Sequence, residues 1–474
     1  MMQRSVSRIA LGLTVMFTAI AGTSAPVAAQ LDLEALQDEA LAWLQEYIRI
    51  NTINPPGNEV ESAGFFARIF EAEGITYEMA ESAPGRGNIW ARLEGGDEPG
   101  IVLLHHMDVV PADARFWTSD PLSGELRDGY VYGRGALDTK TSGILHLATF
   151  LALHRTAIPL TRDVVFMATA DEEAGGFFGA GWLVENRPEI FEGIGFLLNE
   201  GGGGSDVDGA INFGLEVTQK VPYWLRLTAR GEPGHGSRPL VTYASVKMIE
   251  ALDRFRRHEF EARLIPAVDV HFRGMAEGYA EPWRSRFENF GAVIGDAGVL
   301  RELQLYDPGL HALTRNTCSI TRFEGSEKIN VVSPEVAAEI DCRLLPDQDP
   351  DAWLAEVRRV LGSEVEVEVL MGFTPAVSST DTDLYRTVRD VTLEEFPDAG
   401  FVPQVVGGFT DSHFFRDLGI TSYGYTATAT PSADSGGVHG NDERVTEENV
   451  RRGVAMTLRI LERFAATRPV MEDH

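Results

Sequence analysis

Cysteine is nearly missing from this chain: among 474 residues only Cys318 and Cys342 carry a thiol. Two thiols cannot by themselves build a zinc site or a framework of several disulfides. They lie in two strand-like runs, 317–323 and 337–344, that could pair in antiparallel fashion around residues 329–334. Opposed positions in such a ladder approach closely, so a disulfide and two unrelated buried thiols are both open. Lysine is confined to Lys140, Lys220, Lys247 and Lys328, and the formal net charge is -30. That balance argues against a nucleic-acid partner, which needs a basic face, and suits a well-hydrated soluble protein. Long apolar runs are missing too. The run 9–21 falls short of the about 20 residues that a membrane span needs. Preceded by Arg4 and Arg8 and followed by small residues ending in Val27-Ala28-Ala29, it reads as a secretory signal over residues 1–29. The expected product is secreted, in the periplasm, with no stable membrane insertion after processing; an uncleaved anchor is the alternative.

What is present is enough apolar residue, 44%, to fill more than one core, in a chain too long for one ordinary domain. Apolar stripes predict helices over 33–49 and 59–72, with a turn at Pro55-Pro56-Gly57. Strands are expected over 88–93, 100–105, 164–170 and 195–198, with helices after Asp138 and over 179–186. Strands alternating with helices favour an α/β layer covered on both faces. From Leu215 to about Met371 the pattern changes to strand, glycine turn, helix, long irregular insertion, two strands, helix and strand. This predicts a smaller two-layer unit inserted into the first, its helices covering one side of a four-stranded sheet. The stretch 259–308 is read as an insertion that shapes a substrate cleft. The α/β pattern resumes with a helix over 382–395, a strand over 419–425 and a last helix over 446–465.

The chemistry sits where apolar runs end. His106 and Asp108 follow the run 101–104. Residues i and i+2 at a strand edge share a side, so His106 could bind a metal while Asp108 steadies it from behind. His105 would point away and pack. Glycines in the segment 133–138 permit a close backbone approach before a helix; Asp138 there could cap the helix or ligate a cation, and alone the cap is the simpler reading. Asp171-Glu172-Glu173 ends the most apolar strand. Three adjacent carboxylates are costly when partly buried unless a cation or shared proton compensates them. A metal plus a general base would explain the cluster; a solvated acidic loop is the alternative. Glu200 repeats the pattern beside Gly201–Gly204, a run that by itself reads as a flexible loop. His439 precedes the last helix. Open α/β sheets present ligands at these strand ends. His106, Asp138, Glu173, Glu200 and His439 are too many for one catalytic zinc. They suit two adjacent divalent ions with a bridging carboxylate and a bridging water. Mixed imidazole and carboxylate donors favour zinc, with cobalt or manganese as substitutes.

These segments together resemble the metallopeptidase family M20, of carboxypeptidases, aminoacylases and deacylases of N-acyl amino acids. The resemblance rests on the segments 106–111, 133–138, 171–173 and 199–201, on Gly234-His235-Gly236-Ser237 with Pro239, on the surroundings of Asn330 and Arg343, and on His439 with Glu443. It implies an open mixed sheet of the zinc-peptidase type with helices on both faces, formed by residues 30–213 and 373–474, and an inserted α+β lid over 214–372 that often serves dimerisation. It implies two zinc ions per subunit, bridged by Asp138, one completed by His106 and Glu200 and the other by Glu173 and His439. Glu172 would be the general base, Asp108 would act from behind His106, and the Asp138-Thr139 peptide would be cis. His235 would reach the scissile carbonyl oxygen, sometimes from a neighbouring subunit, while Arg343 and Asn330 would handle a substrate carboxylate or the oxyanion. His105 and Asn199 depart from the family's usual residues without removing a ligand. The implied reaction is hydrolysis of an amide beside a free carboxylate, in a small peptide or N-acyl amino acid. A co-catalytic aminopeptidase would instead need an acidic clamp for an ammonium, and a binding protein without catalysis would lack a base.

Overall fold

The computed structural model describes residues 31–207 and 209–467; the signal-like segment 1–29 lies outside them. Among the described residues, no helix is long and apolar enough to cross a membrane. Eight strands form a mixed sheet in the order Tyr77–Glu81, Gly87–Leu93, Arg162–Thr169, Glu98–His106, Ile194–Val207, Thr421–Pro431, Ala210–Gln219 and Gly400–Val406. The central run from Arg162–Thr169 to Thr421–Pro431 is parallel. Side-chain alternation splits each central strand between two cores. Ile101, Leu103, Val164 and Phe166 face helices Leu33–Arg49, Glu59–Glu73, Lys140–Thr156 and Glu447–Ala465. Val102, Leu104, Val165 and Met167 face helices Ala180–Asn186 and Ser412–Asp417. Burial on both faces is why these strands read as unbroken apolar runs.

The chain crosses to a second sheet between Gln219 and Val221, beyond the boundary at 214 expected from the sequence. Residues 215–219, expected to open the inserted unit, belong to Ala210–Gln219 of the large sheet. The second sheet is antiparallel, ordered Thr317–Glu324, Glu335–Leu344, Val221–Arg230, Val365–Gly372, with helices Ala244–Arg257 and Pro350–Leu361 packed on its apolar face. Cys318 and Cys342 are directly opposed in the ladder and form a disulfide.

Two expectations fail for physical reasons. The insertion is not irregular: it carries helices Pro266–Met275, Trp283–Glu288, Ala297–Tyr306 and Pro308–Ala312. Proline stands at the first turn of the first and last of these, where no backbone N–H is needed. Val268, Phe272, Phe287 and Leu303 give them a common apolar core, and Pro266–Met275 lies against the edge strand Gly400–Val406, where His271 accepts a hydrogen bond from the Val405 amide at 3.2 Å. Nor are Gly201–Gly204 a loop. They continue the strand Ile194–Val207, which pairs with both Thr421–Pro431 and Ala210–Gln219. A Cβ at Gly202 would run into the carbonyl oxygens of Gly424 and Gly214, so only glycine lets three backbones meet there. The short strands Tyr77–Glu81 and Gly400–Val406 had no alternating signal strong enough to be foreseen.

Candidate active site

Four neighbouring parallel strands deliver the candidate ligands to one rim. His106 ends Glu98–His106, the Glu172–Ala174 turn follows Arg162–Thr169, Glu200 stands within Ile194–Val207, and His439 comes after Thr421–Pro431. Asp138 enters from the loop before Lys140–Thr156. It does not cap that helix, whose N-cap is Thr139. Its two oxygens face opposite ways: Oδ1 lies 3.1 Å from His106 Nε2 and Oδ2 lies 3.1 Å from His439 Nε2. Glu200 is 3.5 Å from His106 Nε2, and Glu173 is 3.2 Å from His439 Nε2. Two donor groups result, His106–Asp138–Glu200 and Asp138–Glu173–His439, with the donor atoms in each within 4.8 Å of one another. Asp138 is common to both.

The donor set fits a pair of divalent cations. Glu173 Oε1 is buried without a hydrogen-bond partner, and buried carboxylates without compensating charge are costly. Burial pushes the Glu200 carboxyl up to about 7, and burial with the neighbouring Glu200 pushes Glu172 well above its ordinary range. Burial acts the same way on Asp138, but hydrogen bonds from His106 and His439 hold its carboxyl below the usual carboxylate range. Hydrogen bonds to Asp138 and Glu173 raise His439 to about 10.

The acidic triplet is not a solvated loop, since Asp171 and Glu172 are buried, and its members have separate surroundings. Asp171 pairs with the buried Arg86, which also holds Glu59 at 2.5 Å. Glu173 faces His439. Glu172 makes no side-chain hydrogen bond among the described residues, and its electrostatic neighbours are Glu200, His106, Asp411 and Glu173. Asp108 sits elsewhere than behind the imidazole alone. His106 Nδ1 lies 2.9 Å from the Asp108 carbonyl oxygen and 3.4 Å from its carboxylate. That carboxylate accepts the Glu172 and Glu173 amides at 3.0 and 3.1 Å and the Asn54 amide at 2.8 Å. It therefore fixes the turn that carries both glutamates. His105 is buried, 3.2 Å from the Tyr47 hydroxyl.

The sequence assigned no role to several further contributors. Glu443 is buried and accepts the amides of Gly135, Leu137 and Asp138 at 3.0, 2.7 and 3.0 Å, and pairs with Arg134 at 2.6 Å. Arg134 also donates to the Gly440 carbonyl at 2.7 Å, joining the loops that bear Asp138 and His439. Asp411, raised to about 8 by burial, accepts from Thr169 at 3.1 Å, and Asn199 donates to Ser412 at 3.1 Å. The glycine pair and polar cluster of the segment 407–413 was the available signal.

The lid residues stand apart. His235 lies exposed on the two-residue strand Gly234–His235, paired with Val331–Val332, and its Nδ1 accepts from Ser237. Asn330 adjoins it, its carbonyl accepting from Gly236 at 2.8 Å. Arg343 is half-buried, donates to Asp341 at 2.8 Å, lies 5.6 Å over the Phe409 ring and leaves Nη1 unpartnered. None of the three lies within hydrogen-bond distance of the five ligands among the described residues. The cleft beside Asp138 and Glu200, about 590 Å³, is walled instead by Gly201–Gly204 and by Met275, Tyr279 and Leu310 of the insertion.

Comparison with known proteins places this geometry in context. The family model described as peptidase family M20/M25/M40 matches residues 102–463. Human aminoacylase-1 is 26% identical over 453 residues, covering 92% of this chain and 97% of that protein. The N-fatty-acyl-amino acid synthase/hydrolase PM20D1 of Xenopus tropicalis is 29% identical over 420 residues, covering 84% of this chain and 78% of that protein. Among solved structures, the M20 family metallo-carboxypeptidase Sso-CP2 of Sulfolobus solfataricus has a TM-score of 0.69 at 18% identity, over 90% of this chain and 99% of that one.

Proposed function

The chain belongs to the peptidase family M20/M25/M40, and from that premise we propose that it is an exported di-zinc amidohydrolase acting on N-acyl amino acids. Metal-dependent hydrolysis is the activity of the family; the ions' number and identity, the substrate and the export are our reading. One observation carries it. Asp138 is shared by two donor groups, while the carboxyl group of the buried Glu172, with members of both as its electrostatic neighbours, makes no hydrogen bond among the described residues. His106 and Glu200 would hold one ion, Glu173 and His439 the other, and Asp138 both. Two divalent ions bound there would polarise the scissile carbonyl and lower the pKa of water.

The chain's own residues supply the rest. Glu172 takes a proton from the attacking water and returns it to the departing amine, a role open to a buried carboxylate beside both donor groups. Asp108 holds the Glu172 amide, so the base is fixed by its backbone. Arg343 would grip the substrate carboxylate through two parallel hydrogen bonds, with Asn330 beside it and His235 on the developing oxyanion. None of the three touches the ligands directly among the described residues, and the length of the substrate, a lid movement, or a second copy joined through the lid as a homodimer would close the gap. The aminoacylase and N-fatty-acyl-amino acid relatives support N-acyl amino acids over dipeptides, and so does the largely apolar wall that Met275, Tyr279 and Leu310 give the cleft.

A screen of N-acyl amino acids, their carboxamides and dipeptides with zinc-loaded protein tests the reading. Turnover of the free acids, at least about 10-fold above the carboxamides and abolished by a chelator, is expected. Activity only on longer peptides with a free amino terminus would overturn it.

A further inference from the structure

A second cavity, of about 1070 Å³, lies on the other side of helix Pro308–Ala312 from the metal cleft. Leu310 lines the cleft, whereas His311 and Ala312 line the cavity, so one short helix is a wall of both. The cavity is bounded by the insertion, by the end of helix Ala244–Arg257 and by the strand bearing Cys318. Its polar wall is cationic in a chain whose net charge is -30. Arg256 and His258, also on this wall, are committed elsewhere, to Asp253 and Glu356, each at 2.9 Å. Arg315 is different. Its side chain is 14% exposed, its Nε is buried with no partner, and the nearest carboxylate, that of Glu259, is 3.9 Å away on a side chain that is 86% exposed. The imidazole of His311 also makes no hydrogen bond among the described residues. Burial, followed by the charges of Arg315, Lys220 and Arg301, pushes it down to about 4. A guanidinium so placed has given up water at its buried Nε for one carboxylate at the edge of ion-pair reach, held on a solvent-exposed side chain, which is poor compensation. The rest of the wall sets an apolar strip of Phe260, Leu300 and Ile320 beside the neutral polar Gln304, Asn316 and Ser319.

We propose that this cavity binds an amphipathic organic carboxylate, its head on Arg315 with Arg301 and His311, its apolar body along Phe260, Leu300 and Ile320. A guanidinium matches a carboxylate through two parallel hydrogen bonds, and the volume is at the upper end of that of small-molecule sites. The site is separate from the metal centre and does not depend on what the enzyme hydrolyses.

The probe is octanoate, titrated calorimetrically into the full-length, zinc-loaded protein and into Arg315→Gln. A binding component present in the wild type and weakened about 10-fold or more in the variant is expected, as loss of a charged hydrogen bond requires, with turnover at the metal centre retained. Arg301→Glu, on the exposed side of its helix, should weaken the same component and serves if Arg315→Gln does not fold. Octan-1-ol should bind at least about 10-fold more weakly than octanoate. A crystal soaked with 8-bromooctanoate should show bromine in this cavity. Identical isotherms for wild type and variants, bromine only at the metal centre, or octan-1-ol or inorganic phosphate binding as tightly as octanoate would overturn the proposal.

Discussion

The rim of the large sheet and the tips of the inserted lid hold their polar residues in opposite ways. At the rim, neighbouring parallel strands run about 4.8 Å apart, and four of them in sequence bring Glu172, Glu173, His106, Glu200 and His439 to one place. Each loop there is pinned again by a buried carboxylate: Asp108 on the glutamate turn, Glu443 on the Asp138 loop, Asp171 on Arg86. On the lid, His235 and Asn330 ride a short exposed ribbon, and Arg343 answers to Asp341 on its own strand. The rim is organised for fixed distances and the lid for surfaces that meet something else. A side chain anchored by a sheet can hold an ion; one on a ribbon can only arrive.

The comparison breaks most visibly at Glu172. Glu172→Gln is expected to keep the bound metal and lose about 10²-fold or more in kcat; near-normal turnover would remove Glu172 as the base. His439→Ala should come next, lowering bound metal by about one ion per chain on elemental analysis, since His439 pairs with Asp138 and Glu173 and, among the described residues, with no other carboxylate. Unchanged stoichiometry would count against the second donor group. The lid should show the smallest effect. Arg343→Ala is expected to raise KM about 10-fold, with kcat changed less and metal content not at all. If it instead lowered metal content, the division between rim and lid would fail.

Much of this was legible in the residues. The helix over 33–49 and the last helix stand where the apolar stripes put them. The run 101–104 led to His106 because a strand buried on both faces has a distinct composition and ends abruptly in polar residues. The glycine run was misleading for a local reason: glycine favours loops unless other backbones press on it, and the two strands that press on Gly202 are remote in sequence. The insertion was misjudged because helices of 5–10 residues hold too few turns to show a period. Asp411 escaped notice, and Arg134 and Glu443 were given no role, because a buried acid or base looks, in sequence, like a surface one.

The sequence by itself determined the donor types, the placement of His106, the acidic triplet and Glu200 at the ends of apolar runs, and the cysteines' two facing strands. Those are properties of short segments, set by residue type and side-chain period. Only the tertiary structure decided that Asp138 turns one oxygen to each histidine, that Asp108 holds the glutamate turn, that the disulfide forms, and that Arg315 buries its Nε with no partner among the described residues. Each depends on which distant segments become neighbours, and a buried charge acquires its meaning from whatever stands within a few ångströms of it.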